Sequence, residues 1–292
     1  MIKYKKSRTI LRKSDSEYDF FGHDYYFNIY RGCSHGCIYC DSRSSCYHVE
    51  NFDSEVIVKE NVVELLNKEL TSKKEKSVIG ISGAMCDVYM PIEKQLGYTR
   101  KCLEVIDRQG FAVQIHTKND LILKDIDLIK SINEKTNANV LFTITAFNDK
   151  LSKRIEPRAP ITSRRLFALK RMSDEGITTG LAIWPTLPFL TDDETNIKNL
   201  IEVAYRYGAS YVLFYPGVTL RDNQRDYFYE RLNYIKSGLV DKYKERFGNS
   251  YECLSPNAAK LMEIYHRECK KYNLKTYAPH YRFDNPVQLK LF

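Results

Sequence analysis

The sequence lacks any apolar run long enough to cross a membrane. A transmembrane helix needs about 20 predominantly apolar residues, and no stretch of the 292-residue chain comes near that length. The N-terminal residues MIKYKK also lack the apolar stretch of a secretory signal. We therefore expect a cytoplasmic protein with no membrane partner.

Repeats and low-complexity tracts are also missing from the chain. A chain of this length with 43% hydrophobic residues buries one large core. We predict a main domain over residues 27–216. An N-terminal arm over residues 1–26 precedes it, and a helical C-terminal extension over residues 217–292 packs on it.

The charge is moderate, with a formal net value of +8. Such an excess suits a polyanionic partner, but it is also typical of an ordinary solvated basic surface. Charge alone therefore does not establish nucleic-acid binding.

Short β-rich runs alternate with amphipathic segments from residue 56 onward, which is the pattern of βα units around a parallel sheet. About six units are present, fewer than the eight of a closed barrel. We predict an α/β fold, a partial (β/α)6 barrel whose ligands lie at the C-terminal ends of the strands. The predicted strands are residues 27–31, 78–81, 111–116, 140–145, 177–184 and 211–215.

Three of the eight cysteines crowd into one short loop, Cys33, Cys37 and Cys40. In a reducing compartment such crowding favours metal ligation over disulfides. Gly32 and Gly36 give this loop the freedom to wrap an iron–sulfur cluster. Three protein ligands leave one iron of a four-iron cluster open, which favours catalysis over simple electron carriage.

Two other interpretations of the cysteine loop are a zinc site, with His35 or Cys46 as the fourth ligand, and thiols that are merely buried. Structural zinc usually takes two separated ligand pairs, and no second pair is present. Cys46 also remains a candidate fourth ligand of a cluster.

The Cys-x3-Cys-x2-Cys spacing resembles that of the radical S-adenosylmethionine (radical SAM) enzymes, and its context resembles their spore photoproduct lyase-like, or DNA repair photolyase-like, branch. The resemblance implies a [4Fe-4S] cluster, S-adenosylmethionine (SAM) bound to the open iron, and cleavage of SAM to a 5′-deoxyadenosyl radical. It also implies a low-potential electron donor, a flavodoxin or a ferredoxin. The segments that carry the resemblance are YRGCSHGCIYCDSR at 30–43, GAMCD at 83–87, TK at 117–118, KRIEP at 153–157 and GVTLRDNQR at 217–225.

The same resemblance implies a set of residues that bind SAM. Tyr39 matches the aromatic residue whose backbone meets the adenine, and Lys118 matches the lysine that binds the carboxylate. A turn after the second strand receives the ammonium, and two threonines of the fourth strand hydrogen-bond the ribose or methionine, unless they are ordinary strand residues. The full predicted set is Tyr39, Ser82, Gly83, Ala84, Cys86, Lys118, Thr143 and Thr145.

The chain departs from spore photoproduct lyases in the residues that act after the radical forms. Those lyases return a hydrogen atom from a cysteine after the second strand, and that position is Ala84 here. Cys86 lies two residues on and is our candidate donor, since a thiol quenches carbon radicals; a small buried hydrophobe is the alternative. The tyrosine that follows the third cluster cysteine in those lyases is Asp41 here.

Cations and aromatic residues meet near the expected opening, at Arg221, Arg225 and Tyr227. Such groups suit a single-stranded or flipped nucleotide, although an amphipathic helix packed on the barrel has the same composition. We hypothesise a lyase-like radical enzyme that acts on a nucleic-acid lesion or modified nucleotide. The alternatives are a radical SAM maturase of a peptide or small metabolite, and a non-catalytic iron–sulfur redox protein.

Overall fold

Strands and helices alternate along the computed structural model, which describes residues 1–14, 21–49, 51–52, 54–81 and 86–283. The strands are β1 (Ile2–Lys5), β2 (Arg12–Lys13), β3 (Tyr25–Phe27), β4 (Tyr30–Arg31), β5 (Val56–Lys59), β6 (Val78–Ile81), β7 (Ala112–Thr117), β8 (Ala138–Thr143), β9 (Thr178–Ile183), β10 (Tyr211–Phe214), β11 (Gly217–Thr219) and β12 (Glu252–Leu254). The helices are α1 (Val62–Thr71), α2 (Glu93–Leu96), α3 (Tyr98–Gln109), α4 (Ile126–Lys135), α5 (Asp149–Ile155), α6 (Thr162–Asp174), α7 (Glu194–Arg206), α8 (Asp222–Ile235), α9 (Leu239–Phe247) and α10 (Ala258–Lys271).

The main sheet has the strand order β10-β9-β8-β7-β6-β3-β2. Its strands from β3 to β10 pair in parallel, and β2 pairs antiparallel with β3 at one edge. Helices connect the parallel strands, as crossover connections require. The predicted α/β class with six parallel strands is therefore confirmed, and in the described part of the chain β10 and β2 are the two open edges of the sheet.

The first predicted strand, residues 27–31, is wrong in its extent. β3 ends at Phe27, and the chain then leaves the main sheet. Tyr30 and Arg31 pair antiparallel with Val58 and Ile57 of β5, in a small sheet that also contains β1. The backbone groups of Tyr30 and Arg31 bind β5 and so are not available to extend β3. The cysteine loop therefore follows β4 rather than β3.

The helices form because one face of each is apolar at helical spacing. Helix α1 buries Val62, Leu66 and Leu70, which lie four residues apart. Helix α3 ends at Gly110, whose positive φ of 67° favours glycine. Each buried aliphatic side chain contributes about 1.5–3 kcal/mol of transfer free energy, so these faces hold the helices on the sheet.

The two faces of the main sheet carry different side chains. On β7, Val113 and Ile115 join the large aliphatic core, whereas His116 lines a cavity on the other face. Gly180 of β9 allows this inner face to hold a ring, since a Cβ there would come within 2.1 Å of the Tyr211 ring. The face of the sheet that carries His116 therefore lines a cavity, whereas the opposite face packs in the aliphatic core.

The chain after β10 packs back on the sheet. β11 and β12 form a two-stranded antiparallel ribbon, and α10 packs on α7. Val212 and Ser210 exchange backbone hydrogen bonds with Lys275, which covers part of the β10 edge. Within the described ranges, no helix is long and apolar enough to span a membrane.

Candidate active site

The cysteine loop lies against the C-terminal ends of the main-sheet strands. Cys33, Cys37 and Cys40 line one cavity together with groups from β7 and β8. The loop begins at Gly32, which has a φ of 83° and lies against the backbone of Glu55, where a Cβ would come within 2.1 Å of the carbonyl oxygen. A glycine is therefore required where the chain turns from β4 into the loop.

The three cysteines fit a cluster better than a single ion. Burial raises the pKa of the Cys37 thiol to about 12 and also raises the pKa values of Cys33 and Cys40, so bound metal must supply the charge that deprotonates them. Among the described residues, no three side chains of His, Cys, Asp or Glu converge closely enough to bind one ion. Zinc needs its ligands at about 2.0–2.3 Å from one centre, whereas cluster thiolates bind separate irons.

The two candidate fourth ligands, Cys46 and His35, occupy different places in the structure. Cys46 is exposed and is absent from the described lining of the cavity; its Sγ lies 3.6 Å from Arg221 Nη1. His35 does line the cavity, but Asn119 Nδ2 lies 2.9 Å from its Nε2. Cys46 therefore lies away from the cavity, and the Nε2 atom of His35 is engaged by Asn119.

His35 instead ties the cysteine loop to the strand ends. Asn119 Oδ1 accepts a hydrogen bond from Leu121 N, which orients the amide so that its Nδ2 donates to His35 Nε2. The ring proton then lies on Nδ1, 3.7 Å from Asp87 Oδ2. The buried His35 thus contacts the segment that follows β6, through Asp87, and the segment that follows β7, through Asn119.

Asp87 is the centre of this arrangement. Its carboxylate accepts hydrogen bonds from Thr117 Oγ1 at 2.7 Å, from Lys118 N at 2.6 Å and from Tyr89 N at 2.9 Å. Burial pushes its pKa upward, but His35 and these hydrogen bonds outweigh burial and hold the pKa of Asp87 below its usual value. A charged carboxylate is therefore maintained beside the cavity.

Tyr39 enters a second buried network on the other side of the loop. Its hydroxyl donates to Glu156 Oε1 and lies 3.2 Å from Thr145 Oγ1. Glu156 Oε2 binds Arg165 Nη2 at 2.5 Å, and Arg165 Nη1 donates to Thr143 O. Burial opposes ionisation of Glu156, but Arg165, with Lys118, keeps the pKa of this carboxyl below its usual value.

The predicted SAM-binding residues of β7 and β8 converge in part. Lys118 and Thr143 both line the cavity, and the Lys118 ammonium lies 5.9 Å from the centre of the Tyr39 ring. Thr143 Oγ1 is 2.5 Å from His116 Nε2. Thr145 lies beyond the end of β8 and contacts Tyr39 rather than the cavity. The backbone carbonyl of Tyr39 accepts from Gln224 Nε2 at 3.1 Å.

Burial, with a further contribution from the Lys118 charge, lowers the pKa of His116 to about 4. This residue is neutral at physiological pH and acts as a hydrogen-bonding partner rather than a cation.

Cys86 lines the same cavity as the three cluster cysteines, and burial raises the pKa of its thiol to about 12. The group therefore carries its S–H proton at neutral pH. Ser82, Gly83 and Ala84, predicted to receive the SAM ammonium, lie outside the described residues.

The predicted substrate residues at the start of α8 are largely engaged with the chain itself. Arg221 forms a two-pronged ion pair with Asp41, at 3.0 and 2.9 Å. Arg225 donates to the carbonyls of Leu220, Ser250 and Gly248. The ring of Tyr227 lies beneath the Arg43 guanidinium, whose Cζ is 3.6 Å from the ring centre. The Arg221 pair holds the segment after Cys40 against α8.

Several site residues were not singled out by the sequence analysis. Asp87 and Glu156 lie inside the quoted segments 83–87 and 153–157, so their position in a motif was the available signal. His35 was considered only as a zinc ligand. His116 and Arg165 carried no signal, because their partners lie on other secondary-structure elements, at separations that match no motif.

The sequence is similar to known proteins over most of its length. A sequence model described as the radical SAM superfamily matches residues 27–201. An uncharacterised protein of Methanocaldococcus jannaschii is 33% identical over 242 residues, which are 82% of this chain and 82% of that protein. An uncharacterised protein of Mycobacterium tuberculosis is 27% identical over 228 residues, 76% of this chain and 67% of that protein.

Solved structures share the fold. A spore photoproduct lyase in complex with a dinucleoside spore photoproduct matches with a TM-score of 0.70 at 17% identity, over 95% of this chain and 81% of that one. A radical SAM methyltransferase from Kitasatospora setae matches with a TM-score of 0.51 at 12% identity, over 93% of this chain and 56% of that one.

Proposed function

The chain belongs to the radical SAM superfamily, whose members use a [4Fe-4S] cluster and SAM, and we propose that it acts on a nucleic-acid lesion or a modified nucleotide. The convergence of Cys33, Cys37 and Cys40 with Lys118 and Thr143 on one cavity supports the cluster and SAM chemistry. The observation that carries the nucleotide substrate is the row of aromatic rings that ends at this cavity. When bound, the cluster and SAM supply a 5′-deoxyadenosyl radical by one-electron cleavage of a carbon–sulfur bond.

The chain's own residues hold and orient the reactants. The three cysteines bind three irons as thiolates. Lys118 pairs with the SAM carboxylate, a charge-assisted contact, and Thr143 hydrogen-bonds the ribose or methionine. The backbone of Tyr39 meets the adenine, and Glu156 and Thr145 hold its side chain. Ser82, Gly83 and Ala84 complete the SAM site in this proposal.

Cys86 returns a hydrogen atom to the substrate radical. Its thiol keeps the proton because burial raises its pKa, and it faces the same cavity as the cluster cysteines. The S–H hydrogen is therefore present and close to where a carbon radical forms. A small apolar side chain at this position would fill the same space but would have no weak S–H bond from which to donate a hydrogen atom.

A row of rings on the inner face of the sheet supports a planar substrate. Trp184 and Tyr215 stack with ring centres 5.3 Å apart, and Phe21 contacts both Trp184 and His116. The row ends at His116, in the lining of the cavity. Stacking on aromatic rings holds bases that are flipped or single-stranded. Arg221 and Arg225, which bind Asp41 and three backbone carbonyls, are not assigned to the substrate, and neither is Tyr227, which lies beneath Arg43.

The reaction class is proposed to be lyase-like, by analogy of fold with the spore photoproduct lyase that was solved with a dinucleoside spore photoproduct. We place the enzyme in the cytoplasm, where a low-potential flavodoxin or ferredoxin supplies the electron. The Ala84 and Asp41 positions separate this chain from those lyases, so the substrate is a lesion or modification other than the spore photoproduct.

Product analysis tests the proposal. Cluster-loaded enzyme is incubated with SAM and dithionite in the presence of modified DNA, modified RNA or a peptide pool. The proposal predicts that a nucleic-acid pool stimulates 5′-deoxyadenosine formation and that binding of this pool weakens steeply with salt. Stimulation by the peptide pool alone would support a peptide maturase instead.

A further inference from the structure

A basic groove lies on the outer side of the cysteine loop. It has a volume of about 460 Å³, and four of its lining side chains are cations. No carboxylate occurs among the described residues that line it. We define the basic groove by Gly36, Ile38, Lys153, Arg154, Arg158 and Arg231.

The groove is separated from the cavity by little more than the backbone of the loop. Cys37 lines the cavity, whereas its neighbours Gly36 and Ile38 line the groove. Ile38 N donates to Ile155 O, and Arg158 N donates to His35 O, so the loop is pinned to the end of α5. The Arg158 guanidinium covers Gly36, where an added Cβ would come within 2.7 Å of its Nη2.

The positive charge extends beyond the groove. A neighbouring depression shares Lys153 and Arg158 and adds Lys94, Lys124 and Arg164. Its one carboxylate, Asp120, is paired with Arg164. The surface over the cysteine loop is therefore rich in cations, although Lys124 is paired with Glu93 and Asp125. Such a surface attracts an acidic partner and speeds its association.

A nucleic-acid substrate fits this surface less well than an electron donor does. The substrate must reach the cavity, and no described residue lines both the cavity and the groove. An electron needs only a short path through the loop to a ligand such as Cys37. Electron-transfer partners also meet through small, transient contacts of less than about 1,200 Å², for which an exposed charged groove is sufficient.

We infer that the basic groove docks the acidic, low-potential electron-transfer protein that reduces the cluster. This inference rests on the proposed function, because only a cluster at Cys33, Cys37 and Cys40 needs such a donor. In the docked complex the donor loses one electron and the cluster gains it. No bond forms or breaks, and no proton is transferred.

A charge-reversal variant tests the inference. Lys153→Glu combined with Arg231→Glu changes two exposed side chains of the groove, one on α5 and one on α8. The matched control is Lys68→Glu with Lys270→Glu, two exposed lysines on α1 and α10. Both double variants change the net charge by the same amount. A difference between them therefore reports where the charges lie and not the net charge of the protein.

The first readout is binding of oxidised flavodoxin, titrated at low and high salt, which does not depend on activity. The second is the rate at which reduced flavodoxin bleaches the cluster absorbance. We expect the groove variant to raise the Kd and to lower the rate by about tenfold or more at low salt, and the control to stay near wild type. Equal behaviour of the two variants overturns the inference.

Two further arms identify the cause of a failure. Titration with a single-stranded oligodeoxynucleotide reveals whether the groove binds nucleic acid; loss of that binding in the groove variant, with flavodoxin binding intact, overturns the inference. Dithionite replaces the protein donor in the last arm. If dithionite yields no 5′-deoxyadenosine from wild type with any substrate pool, the proposed function fails, whereas the flavodoxin titration still decides the docking site.

Discussion

His35 Nδ1 lies 3.7 Å from the carboxylate of Asp87, and this buried contact joins the cysteine loop to the ends of the central strands. Both side chains are almost fully buried, with 1% and 7% of their surfaces exposed. Asp87 in turn accepts from the backbone of Lys118, whose side chain faces the cavity. The position of the cysteine loop is therefore coupled to the position of Lys118, the lysine that we propose binds SAM.

We predict that Asp87→Asn destabilises the protein and impairs cluster retention. The NH2 group of Asn must face either Lys118 N or the pair formed by Tyr89 N and Thr117 Oγ1, because these donors bind different oxygens of Asp87. A buried unsatisfied polar group costs about 1–3 kcal/mol. Urea unfolding of the metal-free chain and iron content per chain measure the two effects.

Asp120→Asn is the matched control for this experiment. Asp120 pairs with Arg164, which is mostly exposed, and exposed pairs contribute about 1 kcal/mol or less. Wild-type unfolding and full iron content in Asp87→Asn would show that the contact with His35 does not hold the loop.

We predict a larger loss for Glu156→Gln. The change leaves the Arg165 guanidinium buried without a countercharge, which costs about 3–5 kcal/mol. Because the pKa of Glu156 is held below its usual value, the pair stabilises the fold above the ordinary glutamate pKa, and this contribution is lost as the pH falls through the lower folded value. Urea unfolding as a function of pH measures both.

The variant should lose this pH-dependent component along with its stability. A Glu156→Gln protein that unfolds at the wild-type urea concentration, with the wild-type pH profile, would contradict the network of Tyr39, Glu156 and Arg165.

We predict that Trp184→Ala weakens nucleotide binding. Stacking on an aromatic ring is worth about 1–3 kcal/mol per base, so the affinity for a single-stranded oligonucleotide should fall by about tenfold. Tyr205→Ala removes an exposed ring that stacks on Tyr272 at the helical surface and serves as the control. Fluorescence anisotropy measures the oligonucleotide affinity of both variants. Equal affinities would show that Trp184 and the rings stacked with it do not bind the substrate.

We predict that Cys86→Ala uncouples radical formation from product formation. In deuterated water the wild-type thiol carries deuterium and transfers it to the product. The variant should yield product without this deuterium, and less product per 5′-deoxyadenosine, as shown by mass spectrometry. Unchanged deuterium content in the variant would assign the hydrogen atom to another donor.

The sequence predicted the class of the fold well because the fold class depends on local patterns, and the assignment of the cysteine loop to a cluster, which rests on a local pattern too, stays a prediction. Alternating apolar runs specify βα units, and the spacing of Cys33, Cys37 and Cys40 lies within one loop. The pairing of Tyr30 with Val58 was missed, because either of two partners suits a short strand and only the whole fold selects between them.

The polar networks were missed for the same reason. Arg165 reaches Glu156 and the carbonyl of Thr143 across separate elements, and no spacing rule in a single sequence reports such contacts. Arg225 shows the converse case. The cations and aromatic residues of its segment suggested a free cation at the opening. In the fold, the Arg225 guanidinium instead donates to three backbone carbonyls.

The most direct test of the account is the formation of 5′-deoxyadenosine. Wild type and Cys37→Ala are reconstituted anaerobically with iron and sulfide, reduced with dithionite in the presence of SAM and the nucleic-acid and peptide pools, and analysed by chromatography. The account predicts 5′-deoxyadenosine from wild type and none from Cys37→Ala. No product from cluster-loaded wild type with any pool, or equal product from both proteins, would contradict it and favour a non-catalytic redox protein.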